Sequence, residues 1–235
     1  MAKSVPQIVE EQIRAWSRHN TQPASSKKEP EVYPAITISR EFGSPGAALA
    51  EYLGDKTGFD VWDKKLLQRI SEELGSDQKM IETLDERRKE AIEDTVASYL
   101  SNVHTNVKYL HSLIRVVRTI EEHGRGIIVG RGANFICENK KSVHIRLVAP
   151  LRDRIADYAK RSGMNKQDVE RMTEEKDRER TEFIRRNFQE DVNNPLSYDL
   201  VINSSSYSLE QIAEIVLKAY SIKTGVEKEK ILSKQ

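Results

Sequence analysis

The sequence predicts an α/β protein in which five parallel strands form one sheet with helices on both faces. Two observations support this fold class. Five short, largely apolar segments alternate with longer stretches of helical periodicity, and no turn pattern typical of a β-hairpin joins any two of them. The predicted strands lie at 35–38, 59–62, 126–130, 143–149 and 200–202. Ligands of such sheets bind beyond the carboxyl ends of the strands, so the loops after these segments are the candidate site.

The first strand leads into a glycine-containing loop and then a helix. Residues 35–38 are apolar or β-branched, Gly43 and Gly46 lie in the loop, and Gly58 is placed to end the helix in a left-handed conformation. A strand, a glycine loop and a helix N-terminus together present backbone N–H groups to an anion. The alternative is an ordinary glycine turn that joins a strand to a helix.

Helical patterns fill the region between the second and third strands. A helix with Leu66, Leu67, Ile70 and Leu74 on one face is expected to close at Gly75. Residues 77–123 contain no Gly or Pro, and their apolar residues recur every three or four positions. This pattern predicts a long helix or a helical hairpin inserted into the domain.

Capping residues predict the helices that follow the fourth and fifth strands. Pro150 is suited to the start of a helix over 151–162, and Asn165 is suited to cap a highly charged helix within 165–192. Ser208 and Gln211 form a capping-box pattern before the last helix.

The domain is expected at 32–222, with additional segments on either side. Residues 1–31 are predicted to be an arm and linker, in which Ile8, Ile13 and Trp16 form one stripe of a short amphipathic helix. That arm is either partly ordered or a docking helix for a partner or second subunit. Residues 223–235 are predicted to be a charged, frayed tail.

Composition excludes several classes of protein. The 235-residue chain has a formal net charge of +1 although 32% of its residues are charged, which argues against a general binder of nucleic acids or membrane surfaces. One cysteine, Cys137, leaves no internal disulfide and favours a reducing compartment. No apolar run is long enough to span a membrane, and a cytoplasmic location is therefore expected.

Polar residues follow the predicted strands, at Arg40, Asp63, Arg131 and Asn203. Arg131 is the strongest candidate, because it lies between two glycines after a wholly apolar strand and its planar guanidinium suits a phosphate. The alternative is a surface arginine in a turn. Asp63 is suited to bind a sugar or base, or to cap the following helix, and can do both. Asn134 either supports Arg131 or caps the next segment.

Five blocks of sequence resemble the cytidylate kinase-like family of P-loop nucleoside monophosphate kinases. The resemblance implies ATP and Mg²⁺ as phosphate donor and a nucleoside monophosphate, CMP or dCMP in particular, as acceptor. It also implies that the glycine loop with Arg40, Gly43, Ser44 and Gly46 binds donor phosphates, that Arg131 binds the acceptor phosphate, and that Arg178 and Arg180 neutralise the transferred group. The blocks are ISREFGSPG (38–46), FDVWDKKLL (59–67), GIIVGRGAN (126–134), EEKDRERTEFIRRNF (174–188) and NNPLSYDLVINSS (193–205).

The glycine loop departs from the Walker pattern of phosphate-binding loops. That pattern ends in a lysine for the β- and γ-phosphates and a hydroxyl for Mg²⁺. Here Gly46 stands at the lysine position and Ala47 at the hydroxyl position, while Pro45 lacks a backbone N–H. Arg40, Lys64 and Arg131 are the candidates to supply the missing charge.

The charged helix within 165–192 has two interpretations: its arginines bind phosphate, or they pair with glutamates of the same helix. Arg171, Arg178 and Arg185 recur every seven residues and share a face, but Glu174 and Glu182 lie four residues either side of Arg178. On spacing alone this is a solvated helix face. The resemblance favours a phosphate role for Arg178 and Arg180.

Two functions therefore remain open, and the histidines suggest no metal site. The first is phosphoryl transfer from ATP to a nucleoside monophosphate; the second is a regulatory protein of the same fold that binds a phosphorylated ligand without turnover. A homodimer through the long insert is a weaker third hypothesis. His104 and His111 lie seven residues apart without a suitable carboxylate, so both are interpreted as structural.

Overall fold

A computed structural model describes residues 3–20, 33–100 and 107–232, apart from the side chains of 18–20 and 100. Within these residues five strands form one parallel sheet in the order β2-β3-β1-β4-β5. The predicted fold class is confirmed. The strands are β1 (Ile36–Arg40), β2 (Asp60–Trp62), β3 (Gly126–Val129), β4 (Val143–Val148) and β5 (Leu200–Asn203).

Helices cover both faces of the sheet. One face packs its aliphatic side chains on α2 and α10, and the other lies under α1, α3 to α7 and α9. The connection from β1 runs to β2 on one side of the sheet, and the connection from β3 crosses β1 to reach β4 on the other side. This reversal of direction opens a crevice at the carboxyl end of β1. The helices are α1 (Val5–Asn20), α2 (Gly46–Thr57), α3 (Lys64–Glu72), α4 (Ser76–Ile81), α5 (Glu86–Leu100), α6 (Val107–His123), α7 (Ala133–Ile136), α8 (Leu151–Ser162), α9 (Lys166–Phe188), α10 (Leu209–Thr224) and α11 (Lys228–Ile231).

Most predicted helix boundaries agree with the structure. Gly58 ends α2 with a φ of 69°, Asn165 caps α9, and Ser208 and Gln211 form the complete capping box of α10. The end of α3 was predicted wrongly. The helix stops at Glu72 and Leu74 is fully exposed, because left-handed Gly75 begins α4 rather than closing α3.

The long insert is a helical hairpin formed by α5 and α6. Its apolar stripe, including Ile92, Leu110, Leu113 and Ile114, is buried in the core shared with the sheet. Residues 101–106, which contain His104, lie outside the described residues. Because the stripe is packed inward, it favours no partner, and the homodimer remains a prediction.

The N-terminal helix α1 packs on its own domain. Val9 and Trp16 are buried, the Trp16 ring stacks on His123 at 3.9 Å between centroids, and Gln12 donates a hydrogen bond to Asp60 (2.7 Å). Residues 21–32 of the predicted linker lie outside the described part of the chain. At the other end, α11 places Ile231 in the core, so the region predicted as a frayed tail contributes apolar packing.

His123 is expected to make the docking of α1 sensitive to acid. Burial, with a smaller effect of Arg88, lowers the pKa of His123 to about 4, so its ring is neutral at pH 7. An unfolded chain takes up that proton near pH 6.5, and unfolding is therefore favoured progressively as the pH falls from about 6.5 towards 4. We expect the Tm to fall more between pH 7 and pH 5 in the wild type than in His123→Asn. Equal slopes would contradict this assignment.

None of the described helices is both long enough and apolar enough to cross a membrane.

Candidate functional site

A cavity of about 360 Å³ opens where β1, β3 and β4 end. Its walls are formed by the strand ends, the segment after β3 and the inner face of α9. Basic side chains from five different segments of the chain converge on it. These are Arg40, Lys64, Arg131, Arg146 and Arg180.

Arg131 is held in an unusual backbone conformation. It is left-handed, with a φ of 56°, between the left-handed glycines Gly130 and Gly132. This conformation costs a side-chain-bearing residue on the order of 1 kcal/mol, and such strain is concentrated at functional sites. The turn directs the guanidinium over the rings of Tyr109 and Phe183, at 5.7 and 5.3 Å from the centroids.

Three of the converging cations lack a carboxylate partner among the described residues: Arg40, Lys64 and Arg131 are in no ion pair there. Burial and Arg180 lower the pKa of Arg40 to about 10, with a further contribution from Arg131. Burial and the neighbouring Arg131, Arg180 and Arg40 also lower the pKa of Lys64. The cations therefore repel one another, and an anion bound among them would relieve that repulsion.

Two residues that line this cavity also carry buried donors without partners. Arg131 Nε and Asn134 Nδ2 are buried and make no hydrogen bond with the described residues. An unsatisfied buried donor is costly, and both belong to residues that line the cavity. These donors and cations fit an oxygen-rich anion such as a phosphate group.

Most of the backbone N–H groups described in the glycine loop after β1 already donate to other groups of the protein. Ser44 N–H and Gly46 N–H donate to Glu41 O and Ser44 O within the loop, and Phe42 N–H donates to Asp177 Oδ1 at 2.7 Å. Pro45 has no N–H. Gly43, Ser44 and Gly46 are absent from the cavity wall, so the expectation that they cradle a phosphate has little support from their geometry.

Asp177 joins the charged helix α9 to this loop through a buried arginine. Arg154, only 7% exposed, donates to Asp177 Oδ2 (2.6 Å) and to Phe42 O (2.9 Å), and its Nε lies 3.3 Å from Glu41 Oε2. Arg180, one turn further along α9, donates to Arg40 O at 2.9 Å. Burial lowers the pKa of Arg180, with Arg146 and Arg154 adding to the effect and Asp177 opposing it.

Arg146 is a cavity residue that sequence reasoning missed. It lies on β4 opposite Ser39 of β1, is 6% exposed, and donates to Ser39 Oγ (3.1 Å) and Asn193 Oδ1 (2.9 Å). An arginine inside a mostly apolar strand was the available signal.

The remaining predicted residues divide into those near the cavity and those away from it. Asp63 caps α3 by accepting from Leu66 N–H (2.7 Å), and its charge acts on Arg40, although it does not line the cavity. Asn203 is exposed in its own turn. Arg178 is exposed and lies outside the cavity, because it is about 200° around α9 from Arg180. Only Arg180 of that predicted pair reaches the site.

Comparison with known proteins agrees with this architecture. A model of the cytidylate kinase-like family matches residues 35–206. The chain belongs to the cytidylate kinase-like family. Its fold is a five-stranded, all-parallel sheet with helices on both faces.

Individual relatives are distant. An uncharacterized protein from Eubacterium ventriosum is 17% identical, with 82% of this chain and 99% of that chain aligned at a TM-score of 0.65, which shows a shared fold. Shikimate kinase from Bacteroides thetaiotaomicron is 11% identical over 82% of this chain and 99% of its own, at a TM-score of only 0.42. A uronate isomerase from Corynebacterium glutamicum is 28% identical over 132 residues, 56% of this chain. The chain spans 25% of the length of that isomerase.

The site fits the phosphates of a nucleotide better than it fits a Walker-type magnesium site. The unpaired cations and donors suit phosphate oxygens. Ala47 supplies no hydroxyl for a metal, and the carboxylates of Glu41 and Asp177 already accept from Ala149 N–H, Phe42 N–H and Arg154.

Proposed function

We propose that this protein transfers a phosphoryl group from ATP to a nucleoside monophosphate, with CMP or dCMP as the favoured acceptor. The observation that carries the proposal is the convergence of Arg40, Lys64, Arg131 and Arg180 on one cavity at the strand ends. Phosphoryl transfer needs positioning and charge neutralisation rather than a protein nucleophile. Membership of the cytidylate kinase-like family supports the same reaction.

The cations would divide the work according to their positions. Arg40 is the last residue of β1, directly before the glycine loop, and its side chain reaches Gly130; it would bind donor phosphates. Arg131 follows β3 and is placed for the acceptor phosphate. Arg180 comes from α9, donates to Arg40 O, and would stabilise the charge that develops on the transferred group. In the family the donor carries Mg²⁺, which would supply further charge neutralisation.

A second cavity supports an acceptor site next to Arg131. This space of about 480 Å³ lies between α3, α6 and α9, and Arg131 lines both cavities. Tyr109 and Phe183 offer aromatic faces, while the amides of Gln68 and Asn187 offer donors and acceptors. Such a wall suits a nucleobase whose phosphate is bound by Arg131.

The deciding experiment is a turnover assay across acceptors. ADP formation from ATP should be measured with CMP, dCMP, UMP, AMP and GMP, with and without Mg²⁺. We expect turnover to be fastest with CMP or dCMP. Absence of ADP formation with every acceptor, at enzyme concentrations able to reveal a ~10⁴-fold handicap, would overturn the kinase proposal.

The occupied glycine loop favours a second candidate, a regulatory protein that binds a phosphorylated ligand without turnover. Phe42 N–H is taken by Asp177, and the loop lacks both Walker side chains. Calorimetric binding of CMP or ATP without turnover would support this candidate. If no nucleotide bound, both functions would be wrong.

A further inference from the structure

Position 46 favours glycine because there is little room for a side chain, and not because its backbone conformation demands glycine. It begins α2 with an ordinary helical backbone, which any residue can adopt. A Cβ added there would lie 2.9 Å from Arg40 Cγ and 3.2 Å from both Arg40 Cβ and Cδ. Contacts below 3.0 Å are essentially never made by real Cβ atoms, so the stem of Arg40 would have to move before any side chain could stand at the Walker lysine position.

The same arginine runs from the loop to the end of β3. Its Nη1 lies against Gly130, where an added Cβ would clash with it. Its guanidinium makes no hydrogen bond or ion pair with the described residues, although it is largely buried and lines the cavity. A buried cation without a partner is costly unless a ligand supplies the opposite charge.

We propose that Arg40 is the phosphate-binding cation that replaces the Walker lysine, delivered from the end of β1 instead of from the start of α2. A glycine at position 46 goes together with Arg40, because a lysine side chain at position 46 and the Arg40 side chain would occupy the same space. The site thus keeps one positive charge for donor phosphates although the loop motif has lost the lysine. This inference rests on the proposed function for the identity of the donor, ATP.

The test moves the cation back to the Walker position. Arg40→Ala is expected to lower kcat/KM for ATP by about 10²-fold. Gly46→Lys alone is also expected to impair turnover, because it meets the Arg40 stem. Combining Arg40→Ala with Gly46→Lys should recover at least ~10-fold over Arg40→Ala, since the space is then free and the charge restored. Arg40→Ala with Gly46→Ala is the matched control without a cation, and should recover nothing.

A stability measurement separates the steric part from the charge. Gly46→Ala should lower the Tm in the wild type and leave it nearly unchanged in the Arg40→Ala background. Equal losses in both backgrounds would overturn the shared-space argument. Recovery by the alanine control as large as that by lysine would overturn the assignment of charge.

Binding keeps this inference distinct from the proposed function. The same variants should be titrated calorimetrically with ATP and with inorganic pyrophosphate. If the wild type shows no turnover but affinity follows the same order, the kinase proposal fails and the role of Arg40 stands. If the wild type turns over and Arg40→Ala matches it, the kinase proposal stands and this inference fails. The inference is also overturned if Arg40→Ala keeps both the turnover and the affinity of the wild type.

Discussion

Replacing Arg131 with alanine is expected to reduce kcat/KM for the nucleoside monophosphate by about 10³-fold, close to 4 kcal/mol of transition-state stabilisation. Among the described residues, Arg131 is the only cation that lines both cavities, and its Nε is a buried donor without a partner. Removing it deletes the fork that would bind the acceptor phosphate. The effect should appear in turnover and in CMP affinity measured by calorimetry.

Controls for Arg131 come from the same position and from α9. Arg131→Lys keeps a point charge without the planar fork and should lose about 10-fold. Arg171→Ala, at an exposed arginine paired with Asp168, should leave kcat/KM within about twofold. The free energy of unfolding of Arg131→Ala should be close to that of the wild type, because alanine tolerates a φ of 56° about as poorly as arginine does. If Arg131→Ala retained wild-type turnover, Arg131 would have no part in the site.

The family blocks suggested that Arg178 and Arg180 act together, and the helix geometry separates them. We expect Arg178→Ala to behave like Arg171→Ala, and Arg180→Ala to impair turnover. The spacing of the apolar residues along α9 already indicated that Arg178 and Arg180 lie on different faces. The buried residues Val169, Thr173, Ile184 and Phe188 define the inner face of α9, and continuing their period places Asp177 and Arg180 on that face and Arg178 outside it.

Strands, caps and the position of Arg131 could be predicted because each depends on local sequence. A β-branched run, a capping side chain or a glycine pair determines its own neighbourhood. Contacts between distant segments could not be predicted in that way. Arg154 lies on α8, and its partners Asp177, Phe42 and Glu41 are separated from it by 23, 112 and 113 residues. The fold alone brings them together.

Gly46 is a second case in which a contact between different elements could not be predicted from local sequence. Its sequence position indicates that a lysine is missing, but the reason lies in the side chain of Arg40, six residues earlier and on a different element. A motif records which residues are present, and it does not record which space they occupy. The departure from the Walker pattern therefore looked like a lost function, whereas the structure shows the aliphatic stem of Arg40 in the space next to Gly46 that a lysine side chain would enter.

Replacing Asp177 with alanine is expected to lower the free energy of unfolding by about 2 kcal/mol, measured by urea denaturation. Arg154 is 7% exposed and would lose its shortest ion pair, while Phe42 N–H would lose its acceptor. The loss stays below that of a fully buried pair because Glu41 remains 3.3 Å from Arg154 and the Asp177 side chain is 27% exposed. Asp177→Asn keeps an acceptor for Phe42 N–H and should lose less.

A double-mutant cycle would show whether Asp177 acts through Arg154. Arg154→Leu combined with Asp177→Leu should be less destabilising than the sum of the single changes, because neither charge is then left buried alone. Glu182→Ala, which removes an exposed pair with Arg186 on the same helix, should cost under about 0.5 kcal/mol. Additive losses at 154 and 177 would mean that the ion pair does not join α9 to the glycine loop. Coupled losses would mean that one carboxylate both secures the helix that delivers Arg180 and occupies a loop N–H that a Walker site would offer to phosphate.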